Sequence, residues 1–247
     1  MRATGTRAMP LTIRIGTALA AILVFGAVAA IGADDRADNQ VTPQEKADGW
    51  VLLFDGKTSA GWMSGDKPLP AANVQDGAIN PKSSGAYVSH YKQPFGDFVL
   101  ACDFKIAPGC NSGIFFRVGD LKDPVQSGFE IQVADSAKRA KPGRNDNGAL
   151  YDAVAPSANA TKPAGEWNHI EITADKNLVK VVLNGQKIVE ADLDRWTEPH
   201  KNPDGTPNKF DKALKDFPRT GYIGLQDHGH DAWFKNIKVK PLKRNAE

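Results

Sequence analysis

The sequence predicts an all-β protein: two packed antiparallel sheets, a sandwich or jelly roll, with one or two short helices. Short apolar runs recur along the chain, bounded by Gly, Pro, Asn and Asp, the spacing of strands and turns. Asn184-Gly185 sits between two such runs in VVLNGQKIV, the strongest short hairpin signal available to a sequence. Long helical patterns do not alternate with the strands, which argues against a parallel α/β fold.

The elements follow in order. Arg2, Arg7 and Arg14 precede an uncharged run from Ile15 to Gly32, with no acidic residue before Asp34. A basic start, an apolar stretch and small residues describe a secretory signal peptide over residues 1–33, cleaved after Ala33 or Ala29. The run of about 18 residues also suits a retained membrane anchor. Removing it takes Lys+Arg from 31 to 28 against 29 acids, a net charge of −1. Nothing basic enough for nucleic-acid binding remains. Residues 34–45 read as a linker and 46–243 as one domain.

Thr42, Pro43 and Glu45 have capping-box spacing, so a brief helix opens the domain. Strand-like runs follow: WVLLF (50–54), DFVLACDFKI (97–106), GIFFRV (113–118), GFEIQV (128–133), HIEIT (169–173), LVKVVL (178–183) and the pair within GYIGLQDHGHDAWFKNIKVK (221–240). Phe210, Ala213, Leu214 and Phe217 fall at i, i+3, i+4 and i+7, so KFDKALKDF reads as one or two helical turns. Cys102 is in phase with Phe98, Leu100, Phe104 and Ile106 and reads as a buried thiol. A bridge to Cys110, in the turn APGCNSG, is disfavoured by the hairpin geometry.

Alternation sorts side chains onto faces. In GFEIQV, Phe129, Ile131 and Val133 share one face and Glu130 and Gln132 the other, about 6.6 Å apart. In GIFFRV, Arg117 falls with Gly113 and Phe115, opposite Ile114 and Phe116. In YIGLQDH, Tyr222, Gly224, Gln226 and His228 lie opposite Ile223 and Leu225. Three strands thus offer a second face bearing Arg117, Glu130, Gln132, Gln226 and His228. Plainer readings stand beside this one. The polar face is simply solvated; Arg117 and Glu130 form a structural ion pair; His228 serves its own turn. QDHGHD matches no zinc spacing, although its aspartates could ligate Ca²⁺ through oxygen. Asn111-Ser112-Gly113 reads as a turn, and Trp50, Trp62, Trp167 and Trp233 as core more than sugar platforms.

GWVLLFDGKTSAGW, NSGIFFR, GFEIQV with Asp135 two residues on, GALYD, GEWNHIEI, LNG and GYIGLQDHG…FKNIKV occur in one order. That set resembles the 3-keto-disaccharide hydrolase domain family from about Gly49 to Val239. Ala134 departs from it, standing where the family tends to a larger apolar residue. The resemblance implies a concanavalin-like, laminin-G-like jelly roll with a concave carbohydrate-facing sheet. It also implies action on glycosides whose ring carries a ketone at carbon 3. An ordinary glycosidase needs two carboxyls flanking the bond, and no adjacent pair is legible here. A ketone at carbon 3 acidifies the carbon 2 proton, so one base, a donor set and an acid suffice for β-elimination and hydration.

The residues assigned are Glu130 or His228 as base, with Arg117, Gln132 and Gln226 holding the ketone and hydroxyls. Asp135 would orient His228 or Arg117, Tyr151 would assist the leaving group, and Asn111 would join the substrate-binding set. No residue is assigned as a metal ligand, and no redox cofactor is expected, because no Gly-rich dinucleotide loop follows a strand. The ketone would have to come from a separate dehydrogenase. The alternative function is a non-catalytic carbohydrate-binding module, against which the titratable groups on one face argue. The expected location is periplasmic or extracellular.

Overall fold

The computed structural model describes Met1 and residues 37–242, so the expected export segment lies outside the described residues. In chain order the elements are α1 (Pro43–Ala47), β1 (Val51–Leu52), β2 (Trp62–Ser64), β3 (Lys67–Pro68), β4 (Val74–Gln75), β5 (Ala78–Ile79), β6 (Val88–Phe95), β7 (Phe98–Ile106) and β8 (Asn111–Val118). Then come α2 (Pro124–Ser127), β9 (Phe129–Ala134), β10 (Asn168–Asp175), β11 (Leu178–Leu183), β12 (Gln186–Asp192), β13 (Gly221–Gln226) and β14 (Ala232–Pro241). Among the described residues no helix is long and apolar enough to cross a membrane.

The strands form two antiparallel sheets. One has the order β12-β11-β10-β7-β14-β5-β4, with β1 also on β14; the other runs β3-β2-β6-β13-β8-β9. The chain passes repeatedly from one sheet to the other, for example between β6 and β7, between β7 and β8, and between β13 and β14. This is the expected jelly-roll sandwich. Alternate residues explain why it closes. Phe98, Leu100, Cys102, Phe104 and Ile106 of β7 turn inward and meet Ile114 and Phe116 of β8, Phe129, Ile131 and Val133 of β9, and Ile223 and Leu225 of β13 in one apolar core. Burial of such side chains is the main favourable term in folding.

Local sequence signals set the connections. Asn184 and Gly185 both take positive φ, 49° and 82°, as the tight hairpin between β11 and β12 demands. At α1 the Thr42 hydroxyl accepts the Glu45 N–H (3.1 Å) and the Glu45 carboxylate accepts the Thr42 N–H (2.9 Å), completing the capping box. The stretch read as a linker is tied down. Asn39 and Asn236 each accept the other's backbone N–H on the side-chain oxygen, and Lys238 pairs with Glu45. KFDKALKDF forms only a short 3₁₀ turn at Leu214–Asp216, with Phe210, Ala213, Leu214 and Phe217 all buried. There the spacing reflects burial, while extended backbone at Ala213 and Phe217 stops a helix on both sides. Cys102 and Cys110 are both free and buried.

One irregularity matters for function. Tyr222 of β13 pairs with Val118 of β8, yet Gly224 pairs with Phe115, so β8 carries one extra residue. Arg117 sits at the bulge with φ 52°. A bulge of this kind reverses the phase of a strand. Val118, not Arg117, therefore joins Phe115 and Val88 on the outer side.

Candidate active site

The site is built on the face of the six-stranded sheet turned away from the core. Glu130 and Gln132 of β9 project there because Phe129, Ile131 and Val133 are held inward. Glu130 is cross-strand from Phe115, and Gln132 from Gly113. A methyl group on Gly113 would stand 2.3 Å from Glu130 Oε1. The missing side chain at 113 is thus the space the Glu130 carboxyl occupies. Gln226 of β13 lies opposite Val88, and Gly224 opposite His90.

Glu130, Gln132 and Gln226 are 7%, 4% and 3% exposed. Burial raises the Glu130 carboxyl to about 7, offset in part by Lys209 and a hydrogen bond from Gln226. Desolvation disfavours the charged form, and here it outweighs both charge-favouring contacts. Gln226 Nε2 also donates to Tyr87 Oη (2.6 Å), and Gln132 Nε2 donates to Asn111 Oδ1 (2.6 Å). The amide oxygens Gln132 Oε1 and Gln226 Oε1 are buried with no partner among the described residues. Such atoms are rare in native structures and ask for a ligand or water.

Loops wall this strip. Tyr151 donates its backbone N–H to the Glu130 carbonyl (2.9 Å), so its loop runs along β9. Lys209 Nζ stands over the Tyr151 ring, 4.1 Å from its centroid, and its backbone N–H is held by the Asp152 carboxylate (2.8 Å). Tyr87 sets its ring edge against Phe115, with centroids 6.2 Å apart. Beyond Phe115 the face turns apolar, with Val88, Val118, Leu121, Val125 and Tyr222 packed together. His90 stacks edge-on to Tyr222 (5.1 Å), and burial lowers its imidazole below the ordinary value.

The assigned residues divide into those on the strip and those elsewhere. Glu130, Gln132, Gln226, Asn111 and Tyr151 come together. His228 stands exposed at the rim beside Tyr87, with ring centroids 6.3 Å apart. Arg117 is a correction. The bulge turns it to the core, where it is fully buried and donates to Gly96 O, Lys176 O and Asp97 Oδ1 (3.1, 2.8 and 2.8 Å). It forms an ion pair, but with Asp97 rather than Glu130. Burial draws its guanidinium down to about 10, with Asp97 opposing. Asp135 is a second correction. Its exposed carboxylate caps the Gly109 N–H (2.9 Å) in the β7–β8 turn and orients neither His228 nor Arg117. The QDHGHD aspartates are likewise occupied, Asp227 by Ser83 and Gly229 and Asp231 by Asn80 and Lys82. Among the described residues no three His, Cys, Asp or Glu side chains cluster as a metal site.

Tyr87, Lys209 and His90 also border the strip, and the strand alternation set out above does not single them out. His90 was legible in principle, since it alternates with Val88 in a strand-like run. Tyr87 was not: it precedes β6, and alternation would have placed it with Ser89 on the inner face.

A buried carboxyl tuned near neutrality, ringed by amides and phenols on one face of a jelly roll, defines a glycoside hydrolase more than a lectin. Residues 49–240 match the 3-keto-alpha-glucoside-1,2-lyase-like domain, and the chain belongs to that family. It is 31% identical over 230 residues to the 3-keto-disaccharide hydrolase of Bacteroides thetaiotaomicron, covering 79% of each protein. Among solved structures, one Parabacteroides distasonis protein shares 31% identity at TM-score 0.66, covering 78% of this chain and 99% of that one. A second from the same organism shares 27% identity at TM-score 0.70, with 84% and 100% covered.

Proposed function

We propose that this chain cleaves glycosides whose sugar has been oxidised to a ketone at carbon 3, with Glu130 as the base. The observation that carries the reading is the Glu130 carboxyl, buried in the strip and raised to about 7. A base works best when its pKa lies near the working pH. The nearest same-face neighbour on β9 is an amide, Gln132, where a two-carboxylate glycosidase would need an acid. A ketone at carbon 3 removes that need. Glu130 takes the carbon 2 proton, the aglycone leaves carbon 1, and water adds to the resulting enone. The lyase description of the family fits the first stage and the hydrolase name of the relative fits the sum. Tyr151 serves the departing oxygen, while Gln132, Gln226 and Asn111 hold hydroxyls. The N-terminal pattern supports an exported enzyme, periplasmic or extracellular, its leader either removed or kept as an anchor. A separate dehydrogenase would supply the ketone.

The test is release of p-nitrophenol from a p-nitrophenyl 3-keto-glucoside. Wild type should release it, and the unoxidised glucoside should be inert. The value of kcat/KM should rise with pH and level off above about 7. Glu130→Gln should lower turnover roughly 10²–10⁴-fold with the fold intact. Equal turnover of the unoxidised sugar, or an active Glu130→Gln, rejects the reading.

A further inference from the structure

With Arg117 withdrawn into the core, the reaction needs another donor for the oxygen that gains charge. Each of the two buried glutamines already spends an N–H, Gln132 Nε2 on Asn111 and Gln226 Nε2 on Tyr87, and each leaves its amide oxygen without a partner. An amide oxygen accepts hydrogen bonds, which suits a sugar hydroxyl and repels a ketone oxygen.

Tyr87 has the opposite character. Its hydroxyl oxygen accepts the Gln226 N–H at 2.6 Å, so its own hydrogen must point elsewhere. It donates to no described residue, and its 45% exposure leaves it open to a bound molecule. Burial and the neighbouring Glu130 raise the phenol above its ordinary value, so it keeps its proton at neutral pH. The Gln226 side chain donates to the Tyr87 hydroxyl and, by hydrogen bonding, favours the charged form of Glu130. One side chain therefore lies between a base and a donor for adjacent atoms of one substrate.

Resting on the functional reading above, we propose that Tyr87 donates the hydrogen bond that receives the substrate's carbonyl oxygen as it becomes an enolate, with Gln226 positioning base and donor together. The carbon 2–hydrogen bond breaks and its proton passes to the Glu130 carboxylate. The freed pair forms a double bond between carbons 2 and 3, and the carbonyl π pair moves onto oxygen, against the Tyr87 hydroxyl. When that pair returns, the carbonyl re-forms, a double bond forms between carbons 1 and 2, and the bond from carbon 1 to the aglycone oxygen breaks. That oxygen takes a proton from the Tyr151 hydroxyl, and the proton held by Glu130 returns to solvent as Tyr151 recovers its own. Tyr87 ends as it began.

A 3-keto-1,5-anhydrohexitol isolates the first step, because it has the ketone and the carbon 2 hydrogen but no aglycone. Deuterium uptake at carbon 2 from D₂O is followed by NMR, beside p-nitrophenol release from the 3-keto-glucoside. Tyr87→Phe should slow both by roughly 10²–10³-fold, as removal of an oxyanion donor does, with KM and thermal midpoint unchanged. Normal exchange with slowed release overturns the inference, because Tyr87 would then act on the leaving group. A raised KM with normal turnover overturns it as well, reducing Tyr87 to a binding group. A wild type that exchanges no deuterium rejects the functional reading and the inference with it; wild-type exchange that Tyr87→Phe leaves intact rejects the inference alone.

Discussion

Holding Glu130 ready as a base should cost the fold stability, and the cost should depend on pH. In the folded chain the carboxyl is raised from 4.5 to about 7. The native state thus binds this proton more tightly than the unfolded state does. Its contribution is complete below pH 4.5, fades as pH rises, and is gone above about 7. At about 1.4 kcal/mol per pH unit, the loss amounts to about 3 kcal/mol. Glu130→Gln keeps the shape and cannot ionise. At pH 8.5 it should be more stable than wild type by about that amount, roughly 6–12 °C in thermal midpoint for a domain of this size. At pH 4 the two should coincide. Thermal unfolding of both proteins from pH 4 to 8.5, without substrate, measures this. A difference that stays constant across the range would show that the carboxyl is not tuned by burial, and the argument for a base would fall with it.

Two further outcomes separate scaffold from site. Arg117→Ala should destabilise by about 3–5 kcal/mol, because it removes the guanidinium from a buried ion pair with Asp97; activity per folded molecule should persist, measured after correcting for the unfolded fraction. Gly113→Ala should reduce turnover at least tenfold with little loss of stability, since a methyl there meets Glu130 Oε1 at 2.3 Å and the carboxyl is the part able to move; assays of rate and melting on one preparation would show it.

Where the backbone is regular, the sequence already carried the answer. Phe129, Ile131 and Val133 alternate without interruption, so Glu130 and Gln132 had to share the far side. Tyr222 to Gln226 behave likewise. The strong hairpin and capping signals succeeded because each is satisfied within a few residues. Arg117 was misplaced because alternation presumes constant phase, and the extra residue in β8 shows only through its pairing with β13. The short strands β2 to β5 were not recognised: two or three residues are too few to display a period. Tyr87 and Lys209 reach the site from loops, where position follows from tertiary contacts such as the Asp227 N–H on the Tyr87 carbonyl (2.9 Å). The helix expected at KFDKALKDF shows the same limit, since buried phenylalanines can take helical spacing without helical backbone.

The bulge in β8 also divides one strand between two tasks. Up to Phe115 its outward residues border the strip; from Phe116 to Arg117 it faces the core and bolts one end of the sandwich through Asp97 and Lys176. Neighbouring codons in this strand should therefore leave different signatures in a mutational scan. Changes at 111 and 113 should depress catalysis in protein that accumulates normally. Changes at 116 and 117 should chiefly lower the yield of folded protein, leaving the survivors competent.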